Sequence, residues 1–222
     1  MTLLLFAIVL SSTDAFSLDL AAWVKESKKN NNAVVGDIIL SGDIETSLRV
    51  IKALGQREDP YVEDIIERIF YQESRDIDEE YYLELLLVTI LTRDNSPEKL
   101  TAWTNANPRA YDLLSENLTS FNNAFLKSYI ILLLPYGETK FAKSPLMSES
   151  RIILNEMHHN DGYLMPGRIK EVLAIFETVD VFNDSVFLEV CISLVEQSRQ
   201  SVIVSRGRST LRRLGLEAKA KN

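Results

Sequence analysis

The sequence predicts an all-α protein of stacked antiparallel helix hairpins, with an irregular helical bundle as the alternative. Three observations predict it. Apolar residues recur at helical spacing through most of the 222 residues. Helix starts marked by a capping residue before proline recur at Asp59-Pro60, Ser96-Pro97, Asn107-Pro108 and Ser144-Pro145. Glycine and proline, at 8 and 6 residues, are too sparse for a turn-rich β-sandwich or barrel.

The N-terminus is read first. Leu3 to Leu10 reads LLLFAIVL. It falls short of the roughly 20 residues that cross a bilayer but suits the apolar stretch of a secretory signal. Ala15 and Ser17 place small residues where a signal peptidase inspects them, so residues 1–17 are expected to leave after Ser17. No Lys or Arg precedes the apolar run, which departs from the usual signal. The expectation is therefore an exported protein, periplasmic or secreted, with a cytoplasmic one as the alternative. A natural product beginning at Leu18 would remove the cytosolic functions together.

Residues 18–222 are expected to form one helical-repeat domain. Leu18 to Lys29 is amphipathic, with Leu20, Trp23 and Val24 inward, and Asn30 to Asn32 break it. Ala33 to Leu40 reads as a short helix. Asp43 can cap the next one, whose Ile44, Leu48, Ile51 and Leu54 repeat every 3.6 residues, with Gly55 closing it in a left-handed conformation. Asp59-Pro60 opens a helix with Val62, Ile65, Ile66 and Ile69 on one face. Asp78 can cap a run through Tyr81 to Leu91 that leaves little polar face and so requires burial nearly all round.

The alternation continues beyond it. Ser96-Pro97 and Asn107-Pro108 open two short polar helices, and Phe125 to Leu134 is again almost wholly apolar, stopped by Pro135 and Gly137. Ser144-Pro145 is expected to open a helix with Ile152, Ile153 and Met157 inside, and Met165-Pro166 another with Ile169, Val172, Leu173 and Phe176. Asn183 or Asp184 caps the third apolar helix, Val186 to Val195. Two-helix repeats cannot bury their own inner helix, so neighbours must stack on them.

Two strings carry a family resemblance. Ser47 to Gly55 reads SLRVIKALG, and Glu58 to Ile66 reads EDPYVEDII. A helix ending in Ala-Leu-Gly, a short turn, then Asp-Pro-x-Val resembles a HEAT repeat over about residues 43–92. The resemblance implies a HEAT/armadillo-like α-solenoid in which Asp59 caps, Pro60 fixes the helix entry and Val62 packs between layers. It also implies a scaffold or partner-binding surface.

The chain offers little assembled chemistry: no catalytic, cofactor-binding or metal-ligating set is expected. His158 and His159 are adjacent, and neighbours on a helix point about 100° apart, so the pair cannot chelate one ion as an i, i+4 pair does. Asp76 to Glu80 is acidic but lacks the alternating ligands and central glycine of a calcium loop. Cys191, the single cysteine, sits in an apolar run and reads as a buried small hydrophobe. Tyr81, Tyr82, Trp103, Tyr111 and Tyr136 read as packing. Asn117-Leu-Thr119 and Asn183-Asp-Ser185 match the glycosylation acceptor pattern.

Charge is the most distinctive feature. The chain carries a net charge of -8, which opposes generic binding to nucleic acid or an anionic membrane. Residues 199–222 run against that sign: Arg199, Arg206, Arg208, Arg212, Arg213, Lys219 and Lys221 face only Glu217. Thr210 to Leu216 reads as a final docked helix. The five arginines are the candidate surface for an anionic partner. The expected function is a noncatalytic protein-binding scaffold with an unidentified protein partner and self-association possible. The alternative is an anion- or nucleic-acid-binding module, or an enzyme, that uses the basic C-terminal segment.

Overall fold

The computed structural model describes residues 13–59, 61–72, 77–93, 96–137 and 139–215. Among them the chain is all-α, with twelve helices, short 3-10 turns and no strand. It divides into two compact units at residues 95 and 96.

The first unit holds α1 (Thr13–Glu26), α2 (Asn32–Ser41), α3 (Ile44–Leu54), α4 (Glu63–Phe70) and α5 (Ile77–Arg93). Helix α3 lies against both α1 and α5, while α2 lies against α4. Asp43 caps α3 as expected, its carboxylate accepting the Thr46 N–H at 2.8 Å. That bond, to a group at the helix N-terminus, holds the Asp43 carboxyl below its ordinary range. The inward stripe of α3 is Ser47, Val50, Ile51 and Leu54. Ile44, expected inside, is 61% exposed. The stripe turns because the Ser47 hydroxyl donates to the Ile39 carbonyl at 2.7 Å, drawing that face onto α2. Val35, Ile39, Ile65, Ile66, Ile69, Leu83, Leu86 and Leu87 complete the core. Each such side chain contributes about 1.5–3 kcal/mol.

Several local expectations are corrected. Trp23, expected inside, is 36% exposed, while Val24 is fully buried. Gly55 has φ −64°, a right-handed conformation. Its reason is proximity: a Cβ there would lie 1.8 Å from Thr89 Cγ2, so the end of α3 meets α5 without a side chain between them. Helix α4 starts at Glu63 rather than at Asp59-Pro60. Asp59 instead accepts from the Tyr61 N–H at 2.9 Å and from Arg57 at 3.0 Å, and Arg57 also donates to Asn32 at 2.7 Å. Pro60 lies outside the described residues, as do residues 1–12 with the apolar run of the expected signal. The expected cleavage point after Ser17 falls within α1.

The second unit holds α6 (Pro97–Ala106), α7 (Pro108–Glu116), α8 (Ala124–Leu133), α9 (Thr139–His159), α10 (Pro166–Phe182), α11 (Leu188–Gln197) and α12 (Ser201–Arg213). Helix α10 lies against α8 and α12, and α9 against α7 and α11. The Thr178 hydroxyl of α10 donates to the Ile131 carbonyl of α8 at 2.7 Å. Leu126, Ile130, Ile131 and Leu133 are buried, as the apolar run of α8 demands.

Ser144-Pro145 does not open a helix: Pro145 lies inside α9, which begins at Thr139. Proline disfavours a helix interior. Here Ala142, Leu146, Ile153 and Met157 bury one continuous side across the Pro145 position, and that burial outweighs the lost bond. Ile152, expected inside, is exposed. Asn183 ends α10 in the left-handed region at φ 46°, and Asp184 caps the following 3-10 turn by accepting from Val186 at 3.0 Å. Gly162, at φ 83°, makes the turn after α9, and its carbonyl accepts from the Arg199 N–H at 3.0 Å.

Candidate functional site

Helix α12 begins after Gln200, whose side chain clasps Leu164 through both its N–H and its carbonyl, at 3.1 and 2.9 Å. One face of α12 is docked. Ile203, Gly207, Thr210 and Leu211 are buried, and a Cβ on Gly207 would lie 2.3 Å from Val195 and 2.7 Å from Phe176. A glycine inside a helix is costly, and here it lets α12 approach α10 and α11 closely.

The structure sorts the five candidate arginines into three groups. Arg206 and Arg213, two turns apart, share a face and converge on Asp180 of α10, at 2.9 and 2.7 Å. Arg199 is exposed but precedes the helix, in the loop against Gly162. Arg208 and Arg212, one turn apart, lie on the opposite side and are exposed. With Ser201, Val204, Ser205 and Ser209 they line an open recess of about 560 Å³. This face combines two long cations with small hydroxyls that do not block access. Planar guanidinium groups bind carboxylates bidentately, so the face suits an acidic ligand. Lys219 and Lys221 lie outside the described residues.

The other sequence candidates separate into packing and surface. Cys191 is fully buried, and burial together with the nearby Asp180 charge pushes its thiol up to about 12. Tyr111 is buried with its hydroxyl donating to the Leu134 carbonyl at 2.9 Å, and burial raises it to about 12. His158 and His159 are exposed at the end of α9, with His159 Nδ1 2.7 Å from the Asn155 carbonyl. Among the described residues no three His, Cys, Asp or Glu side chains are grouped to hold a metal ion. Asp76 lies outside the described residues.

A second cluster was not anticipated. Lys127 of α8 donates to Glu149 Oε1 of α9 at 3.0 Å, and both side chains are buried. Arg168 of α10 donates from one nitrogen to the same Glu149 oxygen at 2.8 Å and to Glu171 Oε2 at 2.7 Å. Its Nε reaches Glu156 at 2.9 Å. Glu149 Oε2 and Glu171 Oε1 are buried and have no hydrogen-bond partner among the described residues. Burial pushes the Glu171 carboxyl up to about 7, against the opposing pull of Arg168. The available signal was Lys127 itself, a lone cation inside an apolar helix. Its partner Glu149 lies 22 positions along the chain, too far for spacing rules to pair them.

No family model, curated protein or solved structure matches this chain. Among the described residues no helix is long and apolar enough to cross a membrane.

Proposed function

We propose that this chain is an exported, noncatalytic protein-binding scaffold built of HEAT-like stacked hairpins, whose last helix engages an acidic segment of another protein. The observation that carries the reading is α12, docked by Ile203, Gly207 and Leu211 on one side and presenting Arg208 and Arg212 among serines on the other. Packing between alternate helices supports the solenoid part: α1 on α3 and α3 on α5 in the first unit, α8 on α10 and α10 on α12 in the second. Stacked hairpins require such contacts, because each hairpin buries its faces on the next. Over residues 43–92 the sequence resemblance to HEAT repeats points the same way.

The test is fluorescence anisotropy of the full chain with three labelled probes: a glutamate-rich peptide, a lysine-rich peptide of equal length, and duplex DNA. The expected result is salt-sensitive binding of the acidic peptide alone, weakened about tenfold or more by Arg208→Glu with Arg212→Glu. Tighter binding of DNA would replace this reading with a nucleic-acid-binding one. Failure of the double variant to weaken the acidic peptide would remove α12 from the site. Dimerisation at low salt, seen by light scattering and abolished by the same double variant, would make a second copy the acidic partner.

A further inference from the structure

We infer that Glu149 and Glu171 hold one proton between them in the folded protein, making the junction of α8, α9 and α10 a proton-linked joint. The argument starts from geometry. One Arg168 nitrogen serves both carboxylates, at 2.8 and 2.7 Å, so the two oxygens it binds are within about 5.5 Å of each other. Both glutamates are fully buried. Two ionised carboxylates this close and this dry repel strongly, and one of them is driven to keep its proton.

Charge balance points the same way. Lys127 and Arg168 supply two positive charges, while Glu149, Glu156 and Glu171 supply three negative ones when all are ionised. The two buried carboxylates balance the two cations, and Glu156, whose side chain is 28% exposed, adds a third negative charge that water only partly screens. Each buried glutamate also has one oxygen without a donor. A proton taken from solvent water onto a carboxylate oxygen neutralises the excess. It also turns an acceptor-only pair into one that carries an O–H donor.

Glu171 is the one that takes it. Among the described residues Glu149 accepts from two cations, Lys127 and Arg168, whereas Glu171 accepts from Arg168 alone. The rise of the Glu171 carboxyl to about 7, caused first by burial, agrees with that choice. The groups facing it come from each neighbouring element. Helix α8 supplies Lys127; its Tyr129 is engaged by Lys170. Helix α9 supplies Glu149 and Glu156, and α10 itself supplies Arg168. Helix α12 brings Arg206 and Arg213 only to Asp180, about 13 Å further along α10 at 1.5 Å per residue. The turn Leu134–Tyr136, also against α10, carries one titratable side chain, the Tyr136 phenol, which burial raises, and it lies beyond the Ile131–Thr178 contact from Glu171.

The test is a carbon-detected NMR titration of the full chain with 13C-labelled glutamate side-chain carboxyls, which leaves histidines silent. One glutamate titrating with a midpoint about 7, and missing from Glu171→Gln, is the expected result. If every glutamate carboxyl titrates below about pH 5.5, the ordinary range, the inference is overturned. The same holds if the neutral-range titration persists unchanged in Glu171→Gln. Glu149→Gln provides an independent check should the first variant not fold. It removes the neighbouring negative charge and frees Arg168, so the Glu171 midpoint falls by about one unit or more. An unmoved midpoint would show that the two carboxyls do not act as a pair.

Discussion

Arg206 reaches from α12 to Asp180 of α10, placing its terminal nitrogen 2.9 Å from the Asp180 carboxylate. The Asp180 side chain is 7% exposed and its second acceptor contact, from Arg213, uses the same oxygen. This pairing holds the inner side of the last helix, while Arg208 and Arg212 lie exposed on its other side. Asp180→Ala removes the shared anion beneath a half-buried guanidinium. It is expected to cost about 1–3 kcal/mol, seen as a lower urea midpoint. Arg213 is 62% exposed, so Arg213→Ala alone is expected to change the midpoint by less than about 1 kcal/mol. An Asp180→Ala midpoint equal to that of the wild type would show that the contact carries no net stability.

The close approach of Gly55 and Thr89 yields a rescue experiment. Gly55→Ala places a Cβ 1.8 Å from Thr89 Cγ2, an overlap that forces α3 and α5 apart. The expected cost is about 1–3 kcal/mol. Thr89→Ser deletes that methyl and keeps the hydroxyl that donates to the Leu85 carbonyl. The double variant should recover most of the loss in thermal denaturation. Equal damage in the single and double variants would place the strain elsewhere.

Stability should depend on pH through Glu171. Its folded-state value of about 7 lies above the ordinary 4.5, so the folded state binds the proton more tightly. The contribution is therefore full below about pH 4.5 and is lost as pH rises through about 7. Comparing wild type with Glu171→Gln cancels the other titrating groups. The wild type should lose stability relative to the variant across that window, by roughly 1–3 kcal/mol. A difference that stays constant with pH, or grows with the opposite sign, would contradict it.

Cys191 should be inert in the folded chain. It is fully buried and its thiol is pushed up to about 12, so almost no thiolate exists at neutral pH. A disulfide exchange reagent should modify it only after urea unfolds the protein, with a rate that tracks the unfolded fraction. Rapid labelling under native conditions would show that α11 opens locally.

Much of the local order was legible along the chain. Asp43 caps α3 and Asp184 caps a turn because short carboxylates beside free N–H groups do so in almost any context. Ser96-Pro97 and Asn107-Pro108 mark the starts of α6 and α7 for the same local reason. Ser144-Pro145 misleads because continuous burial from Ala142 to Met157 carries the helix through the proline. Ile44, expected inward, is exposed and Ser47 is buried against α2, since both faces of α3 carry apolar residues and the contact with α2 selects one.

By itself the sequence determined that this chain forms helices, where most of them start, and which arginines gather near its end, because these properties depend on neighbours within a few residues. Only the tertiary structure decided which of those arginines meet Asp180 and which share the outer face. Arg206 and Arg213 meet Asp180, whereas Arg208 and Arg212 lie on the other side of the same helix. It also decided that Lys127, Glu149, Arg168 and Glu171 share one buried cluster. Charges from three helices interact through space, and their energies depend on distance and exclusion of water, neither of which is written in sequence separation.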